Sequence, residues 1–143
     1  MREYALKKYS FRPVQAVDKL AAAYRVASAY DDVSIVPAEE QIITRIEVES
    51  VDDHLMDYKY NSGFFFEMEI ESLKDILPVC SSSCQTMTYL GIEQKEIRDF
   101  FYMERPRGID RVVPIGKSLD FYLIWDGYDL IREMSRRIPI QKE

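Results

Sequence analysis

Apolar residues Val17, Leu20, Ala21, Tyr24 and Ala27 recur at intervals of three and four after Pro13 and stop at Asp31 and Asp32. This spacing predicts an amphipathic helix with Pro13 in its first turn. "VSIVP" follows as a short strand. Ile42, Thr44, Ile46 and Val48 then alternate with Ile43, Arg45, Glu47 and Glu49, and Phe64, Phe66, Met68 and Ile70 alternate with Phe65, Glu67, Glu69 and Glu71. A period of two predicts two strands, each with one wet face.

"IEVESVDDHL" from Ile46 and "MEIESLKDIL" from Met68 repeat one pattern at an offset of 22 residues. Both read as strand, serine, helix. Ser50 with Asp53, and Ser72 with Asp75, are spaced to satisfy the free amides of a helix start, so two capped helices are expected. A duplicated unit and convergence on one strand-to-helix grammar both account for the match, and two copies are too few for a solenoid.

Further on, Cys84 to Leu90 reads as a buried strand ended by Gly91. "EQKEIRDFFYM" puts Ile97, Phe100 and Phe101 on one helical face, and Asp110 to Ile115 reads as another strand. Strand, helix and strand make a βαβ crossover with parallel pairing. A closing helix is expected with Asp126 as its cap, Gly127 at its entry and Leu130, Ile131, Met134 and Ile138 as its apolar stripe, up to Pro139. The fold class is therefore α/β, a mixed sheet with a C-terminal βαβ crossover and flanking helices.

The chain has 143 residues, 47% of them hydrophobic, enough for one compact core. Its apolar runs are too short to span a bilayer, and the N-terminus lacks the apolar region of a secretory signal, so a cytoplasmic protein without a membrane span is expected. A net charge of −6 argues against general affinity for nucleic acid. Cys80 and Cys84 suit a reducing compartment. His54, the single histidine, lacks companions for a zinc site, so no metal is expected.

"GKS" at Gly116 to Ser118 resembles the end of a phosphate loop, but arginine at position 111 stands where the loop needs glycine. No G-x-G-x-x-G occurs either. Cys80 and Cys84 read as small buried side chains with no base placed beside them, and His54 as a surface residue. Arg105, Arg107, Arg111 and Lys117 gather around the last strand, as a cationic rim for a phosphate-bearing ligand or as solvated charges with internal ion pairs. Trp125 reads as core or as an interface wedge, and Glu67, Glu69 and Glu71 as one wet sheet face.

"GIDRVVPIGKSLDF" followed by "IWDGYDLIREMSRRI" resembles the C-terminal end of the fatty acyl-CoA reductase family, the LuxC-type reductases of bacterial bioluminescence. "CQTMTYLGI" and "EIESLKDILP" resemble the segments leading into that ending, and "RIEVESVDD" extends the likeness more loosely into the first half. The resemblance implies the C-terminal part of an aldehyde dehydrogenase-like fold, with residues 1–143 forming a single α/β domain or a C-terminal fragment of a larger reductase. In that family a cysteine takes the acyl group from a thioester and NADPH reduces it to a fatty aldehyde.

The family's nucleophile lies upstream of the matched part, so neither Cys80 nor Cys84 inherits it, and the catalytic and cofactor-binding residues are unknown. Arg111, Gly116, Trp125, Asp126 and Gly127 match the family motif and receive structural or interface roles. The isolated chain is expected to be inactive and to bind no NADPH strongly. It would meet its acyl thioester only through the parent enzyme, as a homo-oligomer or in complex with the N-terminal part. A non-enzymatic protein-interaction module derived from the family is the second reading.

Overall fold

The structure, a computed structural model, describes residue 4, residues 7–37 and residues 42–141. The chain divides into two compact units, Met1–Val79 and Cys80–Glu143. The class is mixed α/β, built among the described residues from short strands in three small sheets. No helix among the described residues is long and apolar enough to cross a membrane.

In the first unit, helix α1 (Pro13–Ala29) begins with the expected proline. Gln15, three residues beyond Arg12, accepts the Arg12 backbone N–H through Oε1 at 2.8 Å, satisfying an amide ahead of the first turn. Strands β1 (Val33–Val36), β2 (Thr44–Val48) and β3 (Phe64–Glu67) follow, with a 3-10 turn at Leu55–Tyr58 and another at Leu73–Val79. The sheet order is β1-β2-β3, antiparallel between β1 and β2 and parallel between β2 and β3. In β2 the predicted alternation holds: Thr44, Ile46 and Val48 are buried, while Arg45 and Glu47 face water.

The buried face of α1 differs from the predicted one. Lys19, Ala22, Ala23 and Val26 are buried, whereas Val17, Leu20, Ala21, Tyr24 and Ala27 are exposed. The two sets each run at helical spacing and are offset by two residues, about 200° around the axis, so they lie on opposite sides. Ala22 and Ala23 have small side chains that let the helix backbone come close to the sheet. Lys19 is accommodated because its Nζ donates to the Ile42 carbonyl at 2.8 Å and lies over the Phe11 ring. Burial pushes the Lys19 pKa down. Ala22, Ala23, Val26, Ile46, Val48, Leu55 and Phe64 form the core cluster.

The near-repeat is only partly structural. The parallel register places Ile46 opposite Phe66, not opposite its repeat partner Met68, and β3 ends at Glu67, leaving Met68 and Ile70 beyond the strand. Both expected helices are 3-10 turns. Ser72 and Asp75 cap the second as anticipated: the Asp75 carboxylate accepts the amides of Glu71 and Ser72, and Ser72 Oγ accepts that of Lys74. At the first, Asp52 does the capping in place of Asp53, accepting the amides of His54 and Leu55 at 2.9 and 2.8 Å. Asp52 was selected because the same carboxylate also accepts the Tyr30 hydroxyl at 2.8 Å, a long-range contact that local spacing does not reveal.

In the second unit, β4 (Thr86–Tyr89) and β5 (Arg111–Pro114) pair in parallel across helix α2 (Gln94–Glu104), the expected βαβ arrangement. Ile97 and Phe100 are the buried residues of α2. The predicted closing helix is replaced by a hairpin. Strands β6 (Ile124–Trp125) and β7 (Tyr128–Asp129) pair antiparallel across Asp126 and Gly127, which both have positive φ (49° and 80°). A two-residue loop with positive φ at both positions matches the right-handed twist of a hairpin, and Asp-Gly is a preferred pair for it. Helix α3 is therefore only Leu130–Glu133, capped by Asp129, whose carboxylate accepts the Arg132 amide at 3.1 Å.

The Tyr30 and Asp52 pair yields a pH prediction. Burial, helped by the bond to Asp52, pushes the Tyr30 pKa up to about 12, and the Tyr30 hydroxyl, ahead of the backbone amides, holds Asp52 below its ordinary value of 3.8. The stabilisation from Asp52 is complete above its unfolded pKa and lost as pH falls through the depressed folded value. That from Tyr30 is complete below pH 10 and lost as pH rises to about 12. Asp52→Asn is expected to cost about 1 kcal/mol near neutral pH. In urea titrations the gap between wild type and this variant should close in acid, and Tyr30→Phe should remove the loss of stability at high pH.

Candidate functional site

Arg111, Gly116, Trp125, Asp126 and Gly127 fall in one region of the second unit, around a buried arginine. Strand β5 alternates so that Arg111 and Val113 are buried. Arg111 donates from Nη1 to the Ser118 carbonyl at 2.6 Å, and from Nη2 to the carbonyls of Asp120 and, at 3.3 Å, Lys117. Its guanidinium lies over Trp125, 4.3 Å from the ring centroid, and over Tyr122 at 5.9 Å. Phe121 stacks on the outer part of this group, its ring 5.5 Å from that of Trp125 and inclined by 26°. Flat faces and a fan of N–H donors make arginine suited to both tasks at once.

The turn that supplies the carbonyls is held independently. The Ile115 amide donates to Tyr89 O at 2.9 Å, the Lys117 amide to Pro114 O at 3.0 Å and the Asp120 amide to Lys117 O at 3.2 Å. Gly116 lies within this turn. Lys117 Nζ pairs with the Asp120 carboxylate at 2.9 Å, and that hydrogen bond raises the Lys117 pKa. Asp126 and Gly127 form the hairpin turn beside Trp125. Arg111, Gly116, Trp125, Asp126 and Gly127 are thus brought together as parts of one scaffold.

An open pocket of about 930 Å³ borders this scaffold, with Arg111, Lys117, Asp110, Asp126 and Tyr122 among its walls. It does not fit a phosphate-bearing cofactor. The Arg111 donors are directed to backbone carbonyls, Lys117 is engaged by Asp120, and Asp110 and Asp126 add negative charge to the same walls. Arg105 and Arg107 are exposed while Arg111 is buried, so the four cations do not share one environment.

The remaining candidates are separate from this scaffold. Cys80 and Cys84 are half-buried and not joined in a disulfide, and burial, with Cys84 adding to it, pushes the Cys80 thiol up and away from the reactive thiolate. His54 is exposed beside Asp53 and Asp57. Glu67 is held by a bidentate contact with Arg45 on the wet face of the first unit's sheet. Among the described residues no group of three His, Cys, Asp or Glu side chains is placed to hold a metal ion. Sequence reasoning missed the stacking role of Phe121 and Tyr122. It also read Asp126 and Gly127 as a helix start, although Asp-Gly between apolar residues is itself a hairpin signal.

No protein-family model, curated protein or solved structure matches the chain.

Arg111→Met should leave the Ser118 and Asp120 carbonyls without their donor, Lys117 O keeping the Asp120 amide, and cost about 2 kcal/mol or more. Arg111→Lys should recover only part of this, since an ammonium cannot both fan out to three carbonyls and stack on an indole. Trp125, the only tryptophan, provides the readout. Its emission should shift to the red in both variants at temperatures where the wild type is unchanged.

Proposed function

We propose that the chain is the C-terminal structural and oligomerisation portion of a long-chain fatty acyl-CoA reductase, an aldehyde dehydrogenase-like enzyme that reduces acyl thioesters to fatty aldehydes with NADPH. The resemblance of Arg107 to Ile138 to that family motivates the identity of the parent. The observation that carries the structural role is α1, apolar on two opposite sides with only one of them covered. A helix with apolar side chains on an uncovered side as well as on its buried one fits between two layers of protein.

The second unit supports the same reading. Leu119, Phe121, Ile124 and Met134 are more than half exposed, at 91%, 67%, 66% and 86%. Apolar residues at this density in adjoining positions mark surfaces made for burial against other protein. In the parent the cofactor supplies the hydride, and a cysteine outside this chain takes the acyl group. This chain holds its motif residues in the Arg111 scaffold and presents apolar side chains to the rest of the enzyme. In the competing reading, a non-enzymatic interaction module, the same surface serves an unrelated partner.

Thioester-dependent oxidation of NADPH, followed by its absorbance, separates the two. The chain alone should give none. Supplied together with a dehydrogenase-like N-terminal portion encoded upstream, it should restore turnover, and Val17→Ser with Tyr24→Ser should weaken that association about tenfold or more while leaving the first unit folded. A natural gene with no such portion upstream would overturn the parentage.

A further inference from the structure

The first unit has a pocket of its own. Its volume is about 580 Å³, and its walls are mainly Phe11, Ile42, Ile43, Phe65 and the rings of Tyr4 and Tyr9. This is the size and apolar character of small-molecule sites. Beside Ser10, one hydrogen-bonded polar pair lines it. Gln15 Oε1 accepts the Arg12 amide at 2.8 Å, which fixes the orientation of the side-chain amide, and Gln15 Nε2 donates to Ser62 Oγ at 2.9 Å. That bond uses one of the two Nε2 hydrogens and one lone pair of the hydroxyl. A second amide hydrogen and the Ser62 hydroxyl hydrogen are left as adjacent donors.

The backbone presenting Ser62 is strained. Ser62 has φ 63° and Gly63 has φ 80°, and a Cβ at position 63 would lie 2.8 Å from the Ile42 carbonyl oxygen. That same carbonyl accepts Lys19 Nζ, and the Gly63 carbonyl accepts the Thr44 amide at 2.8 Å. The wall is therefore pinned from both sides. Left-handed backbone in a residue other than glycine persists where surrounding bonds over-determine it, and such residues cluster at ligand clamps.

From these features we infer that the pocket is a binding site for a small molecule with an apolar, ring-bearing body and a hydrogen-bond-accepting oxygen at one end, received by Ser62 Oγ and Gln15 Nε2. Two neighbouring donors match the two lone pairs of one carbonyl or carboxylate oxygen. A head group that only donates finds in the pair only the one lone pair of Ser62 Oγ that the Gln15 bond leaves over, one contact against two. The aromatic walls favour a ring, which stacks on them edge-on or offset.

The test is calorimetric titration of the full chain with phenylbutanamide, phenylbutyrate and phenylbutylamine, which share one body and differ in the head. The amide or the acid should bind with a Kd of about a millimolar or below, as expected for ligands of this size. The amine should bind about tenfold more weakly. Separate titrations of the amide and the acid distinguish the two accepting heads. Ser62→Gly removes the hydroxyl and tolerates the left-handed backbone, and should erase the preference for accepting heads. Phe65→Ala, on an exposed ring, should weaken every ligand. The inference fails if none of the three binds, if the amine binds as well as the others, or if Ser62→Gly, folded by circular dichroism, keeps the preference.

Discussion

A positive charge taken out of water has to be surrounded by oxygen, and each unit of this protein is arranged about one such charge. In the first, Lys19 on the inner side of α1 reaches the Ile42 carbonyl just ahead of β2. In the second, Arg111 on β5 gathers the carbonyls of Lys117, Ser118 and Asp120. Both cations also lie against aromatic rings, Phe11 in one case and Trp125 with Tyr122 in the other. The cation thereby couples a regular element to a loop that has little apolar surface of its own to bury.

That economy leaves much apolar surface uncovered. The side of α1 with the larger side chains faces outward, and the hairpin and the turn before it present Leu119, Phe121 and Ile124 to solvent. A two-stranded sheet such as β4–β5 is marginal by itself, and a hairpin of two-residue strands more so. Such uncovered apolar surface supports the proposed place within a larger reductase.

Much of the fold was legible where burial follows a simple period. The alternation in β2, the proline start of α1 and the β4–α2–β5 crossover could all be read from local pattern. The buried side of α1 could not, because two opposite stripes satisfy the same spacing and the larger residues were the less informative choice: close approach selected the alanines. The cap at Asp52 was hidden because its deciding partner, Tyr30, is distant in sequence. Within the candidate site the motif residues were identified, but not the bond from the Arg111 side chain to main-chain oxygens. The hairpin was visible in Asp126 and Gly127, where the cap reading displaced the turn reading.

The hairpin also orders events in time. Two strands joined by a two-residue turn can meet within about 1–10 μs, since almost no loop must be closed, whereas β4 and β5 must first bring together residues separated by the whole of α2. Trp125 and Tyr128 can therefore come into register before the strand bearing Arg111 has found its partner, offering the guanidinium a flat ring on which to settle. A stretch late in the chain can thus take its form before an earlier strand is paired, and it serves as a template for that strand.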